Sequence, residues 1–232
     1  MKDVEMAKTD PCGELQRQGF TTFRAKRDIQ ARIRAQGLNS PWRSPTLLQL
    51  LTWSTIFNKT VLKAPEWREL LSVLLQDAQV PESLACLNLT LEAPRDLGWL
   101  HVRPPQPPWA KTWTRQGVGL WHVDGSAPFD GPSRKGPVML VTLSEEGKTD
   151  LRPGSHHCVK WLISWVSPRF IGKGLLAWLF LFCWQAAKEP HVTWEGSLGD
   201  ILVLDPLLLH RSAPNSASLP RYLANTWLRI AS

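Results

Sequence analysis

Cysteine is scarce in this chain. Cys12, Cys86, Cys158 and Cys183 form no CxxC pair and are too sparse for a disulfide framework, so a reducing, intracellular setting is expected. The opening stretch, MKDVEMAKTDPCGE, lacks an apolar core and does not read as a secretory signal. Without secretion, the sequons Asn58-Lys59-Thr60 and Asn88-Leu89-Thr90 carry no weight. Long hydrophobic runs are also missing. The part of the Trp-rich segment unbroken by charge or proline, 174–187, is 14 residues, whereas crossing a bilayer takes ~20. No spanning helix is expected, and a cytoplasmic location follows. The sequence has no internal repeat and only one tyrosine, against 13 tryptophans.

Concentrated positive charge is likewise lacking. The formal charge of +7 invites a nucleic-acid or anionic-membrane partner, but the basic residues are scattered. The densest group, Arg24, Lys26, Arg27, Arg32 and Arg34, lies on an expected helix with Asp28 among it, which reads as a solvated helix face. Attraction of an acidic substrate, such as a phosphate-bearing thioester, is the competing reading. Nucleic acid is not an expected partner.

Hydrophobic residues make up 43% of the 232 positions and charged residues 20%, the balance of one globular domain spanning 1–232. The region 1–85 reads as helical support. Pro65 opens a helix whose apolar residues, among them Leu70, Leu71, Leu74 and Leu75, recur at helical spacing. Segments 24–36 and 46–57 are further helix candidates. From residue 86 the period changes to two, with Leu87, Leu89 and Leu91 alternating with Asn88, Thr90 and Glu92. Other strand candidates are 99–103, 119–124, 138–144, 191–195, 200–204 and 222–230. Helices followed by many short strands predict a mainly β (α+β) fold: an antiparallel sandwich or barrel with an N-terminal helical buttress. The Trp-rich segment 159–188 interrupts the strand rhythm. It fits a buried helical insertion, a lid over an apolar substrate, or a peripheral membrane contact with interfacial tryptophans.

The chemistry-bearing signal is Trp121-His122-Val123-Asp124-Gly125. Residues two apart on a strand share a face, so His122 and Asp124 can reach one ion. A second run, 199–212, is strongly apolar and delivers a single imidazole, His210. Two histidines and one carboxylate make the facial triad of iron(II) oxygenases, which leaves adjacent positions open for a keto-acid cosubstrate and dioxygen. Such a cosubstrate carries a second carboxylate that must be paired if buried. Arg221 follows His210 past a Pro- and Ser-rich turn. If His210 ends one strand and Arg221 begins its antiparallel neighbour, the guanidinium can grip that carboxylate, with Ser212 adding a hydroxyl. Thr142 is a further candidate contact. The remaining polar residues read as ordinary: His156 and His157 in the turn after Gly154, His101 and His191 partly exposed, Asp200 and Asp205 serving turns, and Asn215 tying its own turn together.

Three stretches together resemble the phytanoyl-CoA dioxygenase family of iron(II)/2-oxoglutarate oxygenases: His122-Val123-Asp124-Gly125; Leu151-Arg152-Pro153-Gly154-Ser155-His156; and His210-Arg211-Ser212-Ala213-Pro214-Asn215-Ser216 leading to Arg221. The resemblance implies a double-stranded β-helix (jelly-roll, cupin-like) core over 86–232. It implies Fe(II) held by His122, Asp124 and His210, and 2-oxoglutarate held by Arg221 and Ser212. It also implies O2 as co-reactant and ascorbate as a supporting reductant. Hydroxylation of a small, hydrophobic or acyl-type substrate, with release of succinate and CO2, is the activity it suggests. Three other functions compete. A zinc hydrolase leaves Arg221 without a role, and an AlkB-like nucleic-acid demethylase expects paired arginines at a different spacing. A non-catalytic jelly-roll binding protein has no need of a complete triad. The oligomeric state is left open.

Overall fold

Asp10 starts the first helix. Its side chain accepts from the Gly13 amide at 3.0 Å, and Pro11 pre-sets the first turn of α1 (Pro11–Gln18). Gly19 closes the helix with φ +84°, a left-handed conformation open to glycine, and the chain enters β1 (Phe20–Phe23). The computed structural model describes residues 10–37, 65–87, 90–92, 94, 98–103, 121–124, 135–165, 191–219 and 221–230. The expected helix at 46–57 and residues 166–188 of the Trp-rich segment lie outside them. Next come α2 (Arg27–Gly37), α3 (Pro65–Ala78), α4 (Val80–Ser83) and a 3-10 turn (Ala85–Leu87). The strands β2 (Leu91–Glu92), β3 (Trp99–Arg103), β4 (Lys135–Thr142) and β5 (Gly147–Leu151) then lead to α5 (Ser155–Trp165). The described chain closes with β6 (Val192–Gly196), β7 (Ile201–Leu204), β8 (His210–Ser212) and β9 (Arg221–Ile230).

Among the described residues the strands form two antiparallel sheets. The larger runs β1-β7-β4-β9, with β2 and β3 both paired to β9, and the smaller runs β6-β5-β8. Alternation along each strand decides what lies between them. Met139 and Val141 of β4, Ile201 and Val203 of β7, and Tyr222 and Ala224 of β9 pack against Leu15, Ile33, Leu70 and Leu74 of the helices. The intervening residues Val138, Leu140, Leu202, Leu204 and Leu223 face the small sheet and meet Leu151 and Trp194. The larger sheet is therefore buried on both faces, which accounts for the unbroken apolar run at 201–204. Fully burying each such side chain contributes about 1.5–3 kcal/mol.

Several sequence expectations change in the fold. The first eighty residues are not wholly helical, because Phe20–Phe23 pairs with β7. Among the described residues of the 87–92 alternation, Leu91–Glu92 forms a strand, while Leu87 completes a turn with its amide on the Leu84 carbonyl. His156 and His157 lie in the first turn of α5 rather than in a loop. The chain also departs from the idea that His210 ends a strand adjacent to that of Arg221. His210 begins β8, which pairs with β5, whereas Arg221 begins β9 in the other sheet. The intervening turn crosses between layers instead of reversing within one. Cys12 is buried and disulfide-bonded, while Cys158 is free and exposed. Tertiary folding joins cysteines that no short motif links, and the pairing removes the thiol argument for a reducing setting.

The basic group reads as the solvated face. Arg24 pairs with Asp200, Lys26 with Asp77, Arg32 with Glu69 and Arg34 with Glu145. Asp200 also accepts from the Ala25 and Ser197 amides, and Asp205 accepts from the Leu207 amide, so both serve turns as expected. Asn215 ties its turn through Leu219 and Ala217. No helix among the described residues is long and apolar enough to cross a membrane.

Candidate metal centre

His122 and His210 face each other across an isolated antiparallel bridge, each amide donating to the other's carbonyl at 3.0 Å. Directly opposed residues in a ladder project to one side, and the two imidazoles sit with ring centroids 4.4 Å apart. Asp124, two residues beyond His122, turns to the same place. Its Oδ1 lies 3.5 Å from His122 Nε2, and its Oδ2 lies 3.6 Å from His210 Nε2. One ligand atom from each residue falls within 4.8 Å of the others. Donors bound at ~2.1 Å to one centre stand roughly 3–3.5 Å apart, so this set needs little contraction to close on an ion.

The protonation state of His210 suits coordination. Its Nδ1 lies 3.0 Å from the Leu208 carbonyl, which can only accept, so Nδ1 carries the proton and Nε2 keeps its lone pair. Burial pushes the His210 imidazole below its ordinary range, with the charge of Asp124 opposing that shift and His122 adding to it. The ring is therefore neutral near pH 7. Asn225 of β9 donates to Asp124 Oδ2 at 3.3 Å and orients the carboxylate from the opposite sheet. Sequence reading missed Asn225; its signal is an amide at an inward position of a largely apolar strand.

Arg221, Leu223 and Asn225 share the inner face of β9. Arg221 lies four residues from the asparagine that reaches Asp124, or ~13 Å along the strand. It is 3% exposed, and its guanidinium donates to the carbonyls of Ala213 and, at 3.4 Å, Pro214. It thus supports the crossing turn, a role the motif alone does not convey. Ser212 shares the inner face with His210 and stands opposite Thr149. Thr142 pairs with Leu223, next to Arg221 on that face. Its hydroxyl is buried and has no hydrogen-bond partner among the described residues. The interior between the sheets thus holds the triad toward one end, and a buried cation with hydroxyl groups further along. A buried hydroxyl without a partner and a buried guanidinium, both on the inner face of the large sheet, fit a carboxylate-bearing ligand. His101 is half-buried, and His191 is exposed, with its Nε2 4.0 Å from Asp150.

No protein-family model matches the sequence, and no curated protein matches it. Solved structures do. The α-ketoglutarate-dependent carbocyclase SnoK of nogalamycin biosynthesis aligns over 98% of this chain and 85% of its own, at 14% identity and TM-score 0.56. The epimerase SnoN, solved in complex with Fe3+ and α-ketoglutarate, covers 95% of this chain and 82% of its own, at 16% identity and TM-score 0.54. EctD from S. alaskensis, solved with bound Fe, covers 99% and 79% at 18% identity and TM-score 0.51. At such identities the likeness is one of fold.

Proposed function

We propose that the protein is an Fe(II)/2-oxoglutarate-dependent oxygenase whose metal is held by His122, Asp124 and His210. The convergence of those three donor sets, with His210 Nε2 left unprotonated, carries the reading. Support also comes from the neighbours, whose bound iron and α-ketoglutarate match the chemistry of this donor set. The strand order, with a metal-ligand arm in the small sheet and Arg221 in the large one, supports a double-stranded β-helix core of the kind found in the phytanoyl-CoA dioxygenase family.

On this reading each residue has a task. The two imidazoles and the carboxylate would hold the cation and leave further coordination positions for ligands. Arg221 and Ser212, with Thr142, bind the far carboxylate of 2-oxoglutarate, and Arg221 keeps its hold on the crossing turn. Leu140, Leu151, Trp194 and Leu223 exclude water from the space between. When bound, iron would supply oxidative chemistry in which dioxygen is consumed, one of its oxygen atoms entering succinate as 2-oxoglutarate loses CO2 and the other entering the substrate as a hydroxyl. Hydroxylation of a small or hydrophobic organic molecule is the outcome proposed; the structural neighbours include a carbocyclase and an epimerase. A nucleic-acid substrate is disfavoured, because Arg24, Lys26, Arg32 and Arg34 of the basic group are each paired with a carboxylate.

The test is succinate release from 2-oxoglutarate with added Fe(II) and ascorbate. The wild-type chain is expected to show slow turnover, and Asp124→Ala none. Arg221→Lys is expected to raise the KM for 2-oxoglutarate about 30–100-fold, the equivalent of ~2–3 kcal/mol for a charge-assisted pair. No succinate from wild type, or an unchanged KM in the variant, would refute the assignment.

A further inference from the structure

Among the described residues, His122 meets β8 through one isolated bridge. Side chains next to that bridge also tie the two strands together. On the far side of that bridge from the metal-facing interior, Trp121 is overlain by two guanidinium groups. The Cζ atoms of Arg152 and Arg211 each lie 4.7 Å from its ring centroid. Arg211 directly follows His210 and is fixed by Asp150, whose Oδ2 accepts from its Nε at 2.9 Å, while Thr193 donates to Oδ1 at 2.8 Å. Arg152 is tied to the other arm through its backbone. Its amide donates to the Leu209 carbonyl at 3.0 Å, and its carbonyl accepts from Ser155 Oγ at 2.8 Å. Ser155 Oγ in turn accepts from the Leu209 amide at 2.9 Å. Arg152 thus holds, by its backbone, the residue before one candidate ligand, and it covers, by its side chain, the residue before the other. Trp121 also packs with Leu207 and Leu209.

We propose that Trp121, Arg152 and Arg211 form a clamp that sets the spacing of His122 and His210, acting as positioning residues for the metal centre. The proposal rests on the metal-centre reading above. Planar guanidinium groups suit the task because they stack on an indole while their stems follow the strand. The clamp contributes no donor atom; it fixes the angle at which two donors meet.

Co(II) is the probe, titrated into the metal-free full chain and read by its visible absorption and binding constant. The wild-type chain is expected to bind one equivalent. Trp121→Ala and Arg152→Met are each expected to weaken binding about tenfold, in the range of lost outer-shell partners, and to change the absorption band. The double variant loses no more than the worse single, because the two side chains act as one unit. Trp121→Phe, which keeps an aromatic face, recovers most of the affinity and the band, whereas Arg152→Lys, which lacks the planar guanidinium, recovers only part. Should Trp121→Ala fail to fold, Trp121→Leu keeps the contacts with Leu207 and Leu209 and carries the same expectation. Single variants within about twofold of wild type with an unchanged spectrum, or additive losses in the double variant, overturn the clamp. A wild-type chain that binds no Co(II) removes the metal centre and the clamp with it, a result distinct from a competent wild type with indifferent variants.

Discussion

Replacing Ser155 by alanine removes one oxygen from the turn that carries the His210 arm. Ser155 Oγ accepts the Leu209 amide at 2.9 Å and donates to the Arg152 carbonyl at 2.8 Å. In the variant the Arg152 carbonyl keeps the Ser155 amide at 3.2 Å. The Leu209 amide, on a residue 3% exposed, loses its acceptor. An orphaned buried donor costs ~1–3 kcal/mol, and a central value of ~2 kcal/mol is expected. In a domain of this size each kcal/mol moves Tm by about 2–4 °C, so Ser155→Ala should melt about 4–8 °C below wild type. Ser155→Thr, which keeps the hydroxyl, should melt within ~2 °C of wild type. Thermal unfolding followed by far-ultraviolet circular dichroism reads the difference. An alanine variant within ~1 °C of wild type, or a threonine variant equally destabilised, would show that the hydroxyl does not hold the arm.

Two further expectations follow from the same region. Asn225→Ala frees Asp124 Oδ2 from its amide and should weaken Co(II) binding about tenfold; calorimetric affinities equal to wild type would contradict the orienting role. His156, whose Nε2–H donates to the Gln16 carbonyl at 3.1 Å, is held below its ordinary pKa first by burial, against the pull of Asp205 and with help from His157 and Lys160. Its folded pKa lies under the unfolded ~6.5. Below that value the unfolded chain takes up a proton that the folded chain refuses, so stability falls with pH through that window. His156→Gln should flatten the fall in Tm between pH 7.5 and 5.5, and parallel curves for the two proteins would exclude the assignment.

The readable parts of this sequence were those in which local spacing implies geometry. HxD on an extended segment puts two donors on one side, a lone histidine after an apolar run marks an interior position, and Asn215, Asp200 and Asp205 announce turns. What stayed hidden depends on partners far along the chain. Phe20–Phe23 is a strand only because β7 offers an edge, and His210 and Arg221 lie on opposed sheets because eight residues cross between layers. The disulfide of Cys12 and the stacking of Trp121 with Arg152 and Arg211 are likewise products of folding at long range. Asn225 looks like an ordinary strand residue until the register of β9 aims it at Asp124.

The crossing of the chain from β8 to β9 has a thermodynamic corollary. His210 hangs from one layer, while Asn225 and Arg221 hang from the other. An ion with its diacid, seated between them, would rivet the two layers together. Occupancy would then appear as cohesion of the whole sandwich, with the melting point climbing as free ligand rises above its dissociation constant.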